Sequence, residues 1–313
     1  MRERICARLE LAHTARAAAC ALLLIVGSAA SVAPAAREPI PNFAPNDHTS
    51  WQPDRLDGDN FLPPESGPGP IVSSPDHPYR PNGERDFAAG DPTFRLADLS
   101  NPILQPWVIA QMRRDNDEVL AGKVPFVARE RCYPAGVPAF VIFRRVGAPM
   151  LYFVQTEKEV LMIWRVDQQV RHIYMNVPHS RNVKPSWYGE SVGRYEGDTL
   201  VVDTIGLNAK TYVDNYRTPH TDALHVVERF RLVDGGRRME VRVRVEDPGA
   251  FTSVWNAVQR FSRFEGEPGN AGELGQESLC ADSAGLEYVD AGNYGVSHTQ
   301  GLVPVPHAAK PDF

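Results

Sequence analysis

The stretch that decides the fold is "ALHVVERFRLVDGGRRMEVRVRVED", residues 223–247, in which apolar and polar residues alternate on both sides of a Gly-Gly pair. Alternation with a period of two is typical of a β-strand that buries one face, and Gly235–Gly236 is a favoured hairpin turn. With that pair at the turn, Leu232 faces Met239 and Phe230 faces Val241 on one side of the sheet. The pattern therefore predicts an antiparallel hairpin with one buried and one solvated face.

A similar pattern of short β-like segments continues on both sides of this hairpin. Short β-like segments separated by turn residues are predicted near 138–145, 149–156, 159–167, 170–176, 187–195, 198–206, 223–233, 238–247 and 252–264. Many short strands with few helical breaks are typical of an antiparallel sheet that forms a barrel or a sandwich. We favour a mainly β fold with a closed or nearly closed barrel of the calycin or lipocalin type, and the alternative is a β-sandwich.

The rest of the chain divides by composition. We expect a signal peptide at 1–35, a Pro/Gly-rich extended arm at 36–100, a helix and turn at 101–135, the antiparallel β domain at 136–280 and an irregular tail at 281–313. Within 101–135, Asn101–Gly122 is predicted to be helical, with Pro106 at an early helix position and Gly122 at the C-terminal stop. The aromatic residues Trp51, Phe61 and Tyr79 would dock the arm on the body.

The overall charge excludes some partners. The 313 residues carry 33 basic and 39 acidic side chains, which gives a formal net charge of −6. Nucleic-acid binding usually needs a dense basic surface, and the sequence has no such block. The composition, with 42% apolar and 23% charged residues, is that of a globular protein.

The N-terminus has the features of an export signal. Four arginines within the first 16 residues precede the apolar run "AAACALLLIV", Ala17–Val26, and a small-residue segment follows with cleavage plausible after Ala30 or Ala35. The apolar run is too short for a membrane span, which needs about 20 helical residues. We expect an exported protein, periplasmic or secreted, without a membrane span. The alternative is a buried N-terminal helix.

Two cysteines remain after such a cleavage, Cys132 and Cys280. An even number of cysteines in an oxidising compartment favours a disulfide, which the chain-entropy model values at roughly 4–5 kcal/mol for so long a loop. The alternative is two separate buried thiols. No zinc site is expected here, because neither cysteine has a second one within metal-ligand spacing.

Two carboxylates interrupt the apolar pattern. Glu228 lies on the apolar face of the hairpin, and Asp203 in "LVVDTIG" is predicted to point inwards in the same way. An unpaired buried carboxylate is costly, so each should be paired or protonated. Arg165 on a neighbouring strand, or a histidine, would supply the positive partner of Glu228. These carboxylates are either structural ion pairs or the polar groups of a pocket inside the barrel.

Polar side chains are dense between residues 176 and 229. His179 and His220 each follow a proline in a loop, where an imidazole can act as a general base or a ligand. We take Glu228, Asp203, His179 and His220 as candidate catalytic residues, and as candidate ligand-binding residues Arg181, Trp187, Tyr188, Asn208 and Arg165.

Other kinds of site are not predicted. A metal site of His179, His220, His225 and Asp222 is conceivable, but strand alternation turns His225 outward, and we expect no metal and no other cofactor. The sequence has no Gly-rich phosphate loop or nucleotide fingerprint. A nucleophile elbow is not expected at "GESVG", residues 189–193, so serine hydrolase chemistry is not predicted.

Several motifs in this region carry a resemblance. They are Trp187–Gly193, Glu196–Gly206, Pro219–Thr221, Leu224–Arg229 and Asp247–Pro248, read as WxGxSxG, EGDTLVVDTxG, PH[ST], LHxxER and DP. With this run the chain resembles a widespread family of uncharacterised exported bacterial proteins, over roughly residues 130–280. It departs from the family at Leu207, Tyr195 and Tyr212, where the family has larger aromatic residues. The resemblance implies export but no particular activity.

Three functions are compatible with these observations. The first is a small-organic-molecule site inside the barrel, with general acid–base chemistry of a lyase, isomerase or hydrolase. The second is a non-catalytic carrier or binding protein with the same pocket. The third is a structural envelope protein whose polar residues only hold loops in place.

Overall fold

The computed structural model describes residues 40–46, 49–54, 60–79, 94–128, 133–142, 151–164 and 169–265. The strands are β1 Thr49–Pro53, β2 Leu151–Gln155, β3 Glu159–Trp164, β4 Val170–Met175, β5 Glu190–Glu196, β6 Thr199–Ile205, β7 His225–Val233, β8 Arg238–Glu246 and β9 Trp255–Glu265, and the helix is α1 Pro106–Leu120. Each strand pairs with the next along the chain and β9 pairs back with β1, which closes the sheet into a barrel. The prediction of a mainly β barrel is confirmed, and the sandwich alternative is wrong.

The β7–β8 hairpin has the register that the alternation predicted. Leu232 pairs with Met239, and Glu228 pairs with Val243. The turn is longer than expected, because Asp234–Gly236 form a short 3₁₀ turn in place of a two-residue connection. Asp234 and both glycines have positive φ angles, a conformation that glycine adopts without steric cost.

One pair of strands differs from the predicted antiparallel order. β4 and β5 run parallel and share only two residue pairs, Tyr174 with Val192 and Met175 with Gly193. Parallel neighbours need a crossover connection of a dozen or more residues, which the segment 176–189 supplies. This connection carries the "PHS" motif, residues 178–180.

Two sequence predictions were wrong about where strands lie. Residues 139–141, placed in a strand at 138–145, form a 3₁₀ turn, while 143–145 lie outside the described residues. Conversely, β1 lies inside the Pro-rich arm and pairs with both β2 and β9. A segment that was expected only to dock therefore closes the barrel.

The prediction of one helix in this region is confirmed, although it begins at Pro106 and not at Asn101. Pro106 occupies the first turn of α1, and Gly122 just beyond its end has a φ of 76°. In the part of the chain that the structure describes, no helix combines the length and the apolarity needed to cross a membrane.

Large side chains fill the inside of the barrel. Phe153 and Phe230 make an edge-to-face contact at 6.2 Å, and Trp164 lies 6.3 Å from Phe261. All four rings are almost fully buried. Aromatic rings of this size bury about 150–250 Å² each, so they dominate the packing around any polar group inside the barrel.

Candidate functional site

Glu228 points into the barrel, as predicted, and meets Arg171 of β4. Arg171 Nη1 donates to Glu228 Oε1 at 3.0 Å and Nη2 donates to Oε2 at 2.5 Å. Both side chains are completely buried. A two-point arrangement of this kind is the strongest geometry available to a guanidinium and a carboxylate.

Two hydroxyl groups complete this interior network. Arg171 Nη2 donates to Thr204 Oγ1 at 3.0 Å and Nε donates to Ser191 Oγ at 3.3 Å, while the two hydroxyls lie 2.9 Å apart. The guanidinium also lies 5.8 Å from the Phe140 ring. Both oxygens of Glu228 are thus engaged by a buried partner, an arrangement that favours a structural ion pair.

The placement of Ser191 also bears on serine chemistry. Gly189–Gly193 has the Gly-x-Ser-x-Gly spacing of a nucleophile elbow. Ser191 nevertheless lies within strand β5, buried and bonded to Arg171, and does not stand exposed at a strand-to-helix turn.

Asp203 does not point into the barrel, and the prediction that it does is wrong. On β6 the inward residues are Leu200, Val202 and Thr204, since Val202 pairs with the inward Glu228. Asp203 therefore lies on the outer face, where its side chain is 30% exposed. The run Thr199–Val202 is buried on both faces, so its apolar residues could not show which face points inwards.

The outer face instead holds a cluster of four side chains, which we call the outer cluster: His179, Glu190, Asp203 and His225. His179 Nε2 and His225 Nε2 both lie 3.0 Å from Asp203 Oδ1. His179 Nδ1 lies 3.0 Å from Glu190 Oε1. The four side chains are between 22% and 33% exposed, so they are shielded on one side and open to solvent on the other.

Glu190 also holds the "PHS" segment in place. Its Oε1 accepts the Ser180 backbone N–H at 2.7 Å and its Oε2 accepts the Ser180 hydroxyl at 2.5 Å. The hydrogen bond from the Ser180 hydroxyl is the main cause that lowers the pKa of Glu190 below its ordinary value, and the bond from His179 adds to it. Glu190 is therefore an ionised acceptor at neutral pH.

The remainder of the crossover is fixed against β6. Ser186 N donates to the Gly206 carbonyl at 3.0 Å, and Asn208 N donates to the Ser186 carbonyl at 2.9 Å. Gly206 has a φ of 69°, and a Cβ there would lie 2.2 Å from Val183 Cγ1. Only glycine fits this close approach, so the crossover packs closely against the end of β6.

His220 is not part of this cluster. It is buried, its Nδ1 donates to the Thr221 carbonyl at 2.9 Å, and its Nε2 lies 2.9 Å from the Thr211 hydroxyl. Burial lowers the pKa of His220 from its ordinary value, so the ring is neutral in the folded protein. These contacts give it the role of a core histidine that ties its loop together.

Three of the five candidate ligand-binding residues make contacts within the protein. Trp187 stacks on Tyr133 at 5.2 Å, and the Tyr188 hydroxyl donates to Gln169 Oε1. The Asn208 side chain accepts the backbone N–H of Lys210 at 3.1 Å. Arg181 is exposed and follows His179 of the outer cluster by two residues in the sequence. Arg165 and the pair Cys132 and Cys280 lie outside the described residues.

Three residues of the interior pair and the outer cluster were not among the candidate catalytic or ligand-binding residues selected from the sequence: Arg171, Glu190 and His225. The alternation of "VRHIYM" does carry a signal for Arg171, because it shares a face with Ile173 and Met175. The hairpin register placed His225 outward correctly. Its carboxylate partner was missed because Asp203 was assigned to the opposite face.

No group of three or more His, Cys, Asp or Glu side chains within the described ranges is arranged to hold a metal ion. Comparison of the whole chain with models of protein families and with curated proteins found no match.

Proposed function

We propose that this protein is an exported β-barrel protein that binds a small organic molecule at the outer cluster and performs general acid–base chemistry on it. The observation that carries the proposal is the convergence of two imidazoles on one carboxylate oxygen at 3.0 Å each, in a partly exposed setting. Histidine is the side chain whose ordinary pKa is suited to proton transfer near neutral pH. Export is supported by the N-terminal sequence and by the family resemblance described above.

The proposed ligand site lies at the outer cluster and not in a pocket inside the barrel, for a physical reason. Inside the barrel, both oxygens of Glu228 already accept from Arg171, and neither residue is exposed. A ligand there would have to break a buried ion pair, which costs about 3–5 kcal/mol. At the outer cluster a ligand reaches polar groups that are already open to solvent.

Apolar side chains beside the outer cluster would contact the carbon atoms of an organic ligand. Asp203 is flanked across the sheet by Val192 and Val227, which pair with it on the two neighbouring strands. Both valines are only partly buried. A site that combines apolar side chains with a few oriented polar groups is typical of small-molecule recognition.

A purely structural role is the second candidate, and one observation favours it. The same hydrogen bonds that assemble the outer cluster also attach the crossover to β5 and β6, through Glu190 with Ser180 and His179 with Asp203. A protein that only needed to hold this connection would use these contacts as well.

A thermal-shift screen of the mature protein against a metabolite library separates the two. A ligand at 100 times its dissociation constant adds about 2.7 kcal/mol of stability, and Asp203→Asn should abolish that shift if the ligand occupies the outer cluster. Glu240→Gln is the matched control and should keep the shift, because it changes a partly exposed carboxylate on β8 of the same barrel. A shift that survives Asp203→Asn and His179→Asn together would place the ligand elsewhere, and the absence of any ligand would favour the structural role.

A further inference from the structure

His225 differs from the other histidine of the outer cluster in one respect. Its Nε2 lies 3.0 Å from Asp203 Oδ1, its side chain is 33% exposed, and its Nδ1 has no hydrogen-bond partner in the described part of the chain. His179 has carboxylate oxygens at both ring nitrogens, from Glu190 and Asp203. Among the described residues, one ring therefore has a nitrogen without a protein partner, whereas the other has carboxylate oxygens at both nitrogens.

The donor and acceptor roles follow from the chemistry of the groups. An ionised carboxylate only accepts hydrogen bonds, so the nitrogen that faces Asp203 must carry a proton on each ring. In a neutral His225 the remaining lone pair is then on Nδ1. For His179 both ring nitrogens face carboxylate oxygens, so neither is left without a protein partner.

The groups around His225 support this arrangement. Glu246 lies opposite His225 on β8, but its carboxylate is bonded to Arg244 at 2.8 Å. Asp203 Oδ1 lies 3.0 Å from a ring nitrogen of both His179 and His225, so its carboxylate is held between the two rings. A carboxylate that fixes the ring and its tautomer, with the opposite nitrogen free, is the arrangement of a general base.

We infer that His225 is the proton acceptor of the outer cluster, through Nδ1, and that Asp203 is its positioning residue; this inference rests on the proposed function. In the step, Nδ1 takes a proton from an O–H or an activated C–H of the ligand, and the bonding pair remains on the ligand as an alkoxide or a carbanion. The imidazolium so formed faces the Asp203 carboxylate, which stabilises its charge. The proton returns from Nδ1 to the product, so the step needs no further reactant.

Histidine-selective ¹⁵N NMR on the full mature chain tests the assignment without a known ligand. We expect a protonated Nε2 and an unprotonated Nδ1 on His225 at neutral pH, with an Nε2 proton that exchanges slowly enough to be observed. His220 is the internal reference, because its contacts require the opposite tautomer. Asp203→Ala should abolish the His225 Nε2 proton signal and leave that of His220 unchanged.

Glu159→Ala is the matched control, since it removes a carboxylate that bonds His172 on the same outer surface and should leave the His225 signals unchanged. A proton on Nδ1 of His225, or on both of its nitrogens, would overturn the inference even if a ligand binds. If the tautomer is as expected but no ligand of the outer cluster exists, the proposed function fails, and with it the role of His225 as a base.

Discussion

The buried pair of Arg171 and Glu228 allows a sharp test of what holds the barrel together. Glu228→Gln preserves the shape of the side chain but replaces one acceptor oxygen with an NH₂ donor that faces a guanidinium N–H. One of the two bonds is lost, and the buried guanidinium keeps its charge without the carboxylate opposite it. Breaking a fully buried pair in this way costs about 3–5 kcal/mol, because an uncompensated charge remains inside the protein.

Differential scanning calorimetry or a urea titration would measure this loss. For a domain of this size each kcal/mol corresponds to about 2–4 °C, so Glu228→Gln should lower the Tm by roughly 6–20 °C. Glu240→Gln makes the same chemical change on the other strand of the hairpin, where Arg242 is 67% exposed, and should cost only about 0–1 kcal/mol.

A double variant checks the reasoning independently. Arg171→Met combined with Glu228→Leu removes both charges, while the Ser191 and Thr204 hydroxyls still bond each other. Apolar replacement of a whole buried pair is often neutral, so the double variant should be more stable than either single one. A Glu228→Gln protein that melts within about 2 °C of the wild type, or losses that simply add in the double variant, would refute the assignment.

Three further predictions concern other parts of the chain. Because burial lowers the pKa of His220, the unfolded chain binds a proton there as the pH falls below about 6.5 while the folded protein does not. The free energy of unfolding should therefore decrease as the pH falls from 7.5 to 5.5. In urea titrations His220→Gln should show a weaker dependence on pH, and equal pH dependence of the wild type and the variant would contradict this prediction. Gly193→Ala should lower the free energy of unfolding by about 1–3 kcal/mol in the same assay, since a Cβ there would lie 2.7 Å from Ile173 Cγ2. Unchanged stability would mean that the side chains between β4 and β5 can accommodate a methyl group. Mass spectrometry of the non-reduced mature protein should find Cys132 linked to Cys280, and two free thiols would refute the disulfide.

The outer cluster shows where sequence reasoning reached its limit. His179 was selected from its loop position, and the hairpin register placed His225 on the outer face. The assignment of Asp203 failed because its strand is buried on both faces over Thr199–Val202, so apolar side chains there do not distinguish inside from outside. Only the pairing of Val202 with Glu228 shows which face of that strand points into the barrel.

The amino-acid sequence by itself determined the features that depend on neighbouring residues. The alternation of residues 223–247 specified the β7–β8 register, because a shift by one residue would expose the whole apolar face. In the same way Gly122 marked the C-terminal end of the helix within two residues, whereas the helix begins at Pro106 and not at the predicted Asn101.

The tertiary structure alone decided the features that depend on distant segments. These are the closure of the barrel by β1, the parallel pairing of β4 with β5, the partner of Glu228 and the outer cluster. Arg171 and Glu228 are 57 residues apart, and no local pattern encodes which cation meets which carboxylate. The choice follows from the way the strands close around one interior, where a buried charge is stable only beside its opposite.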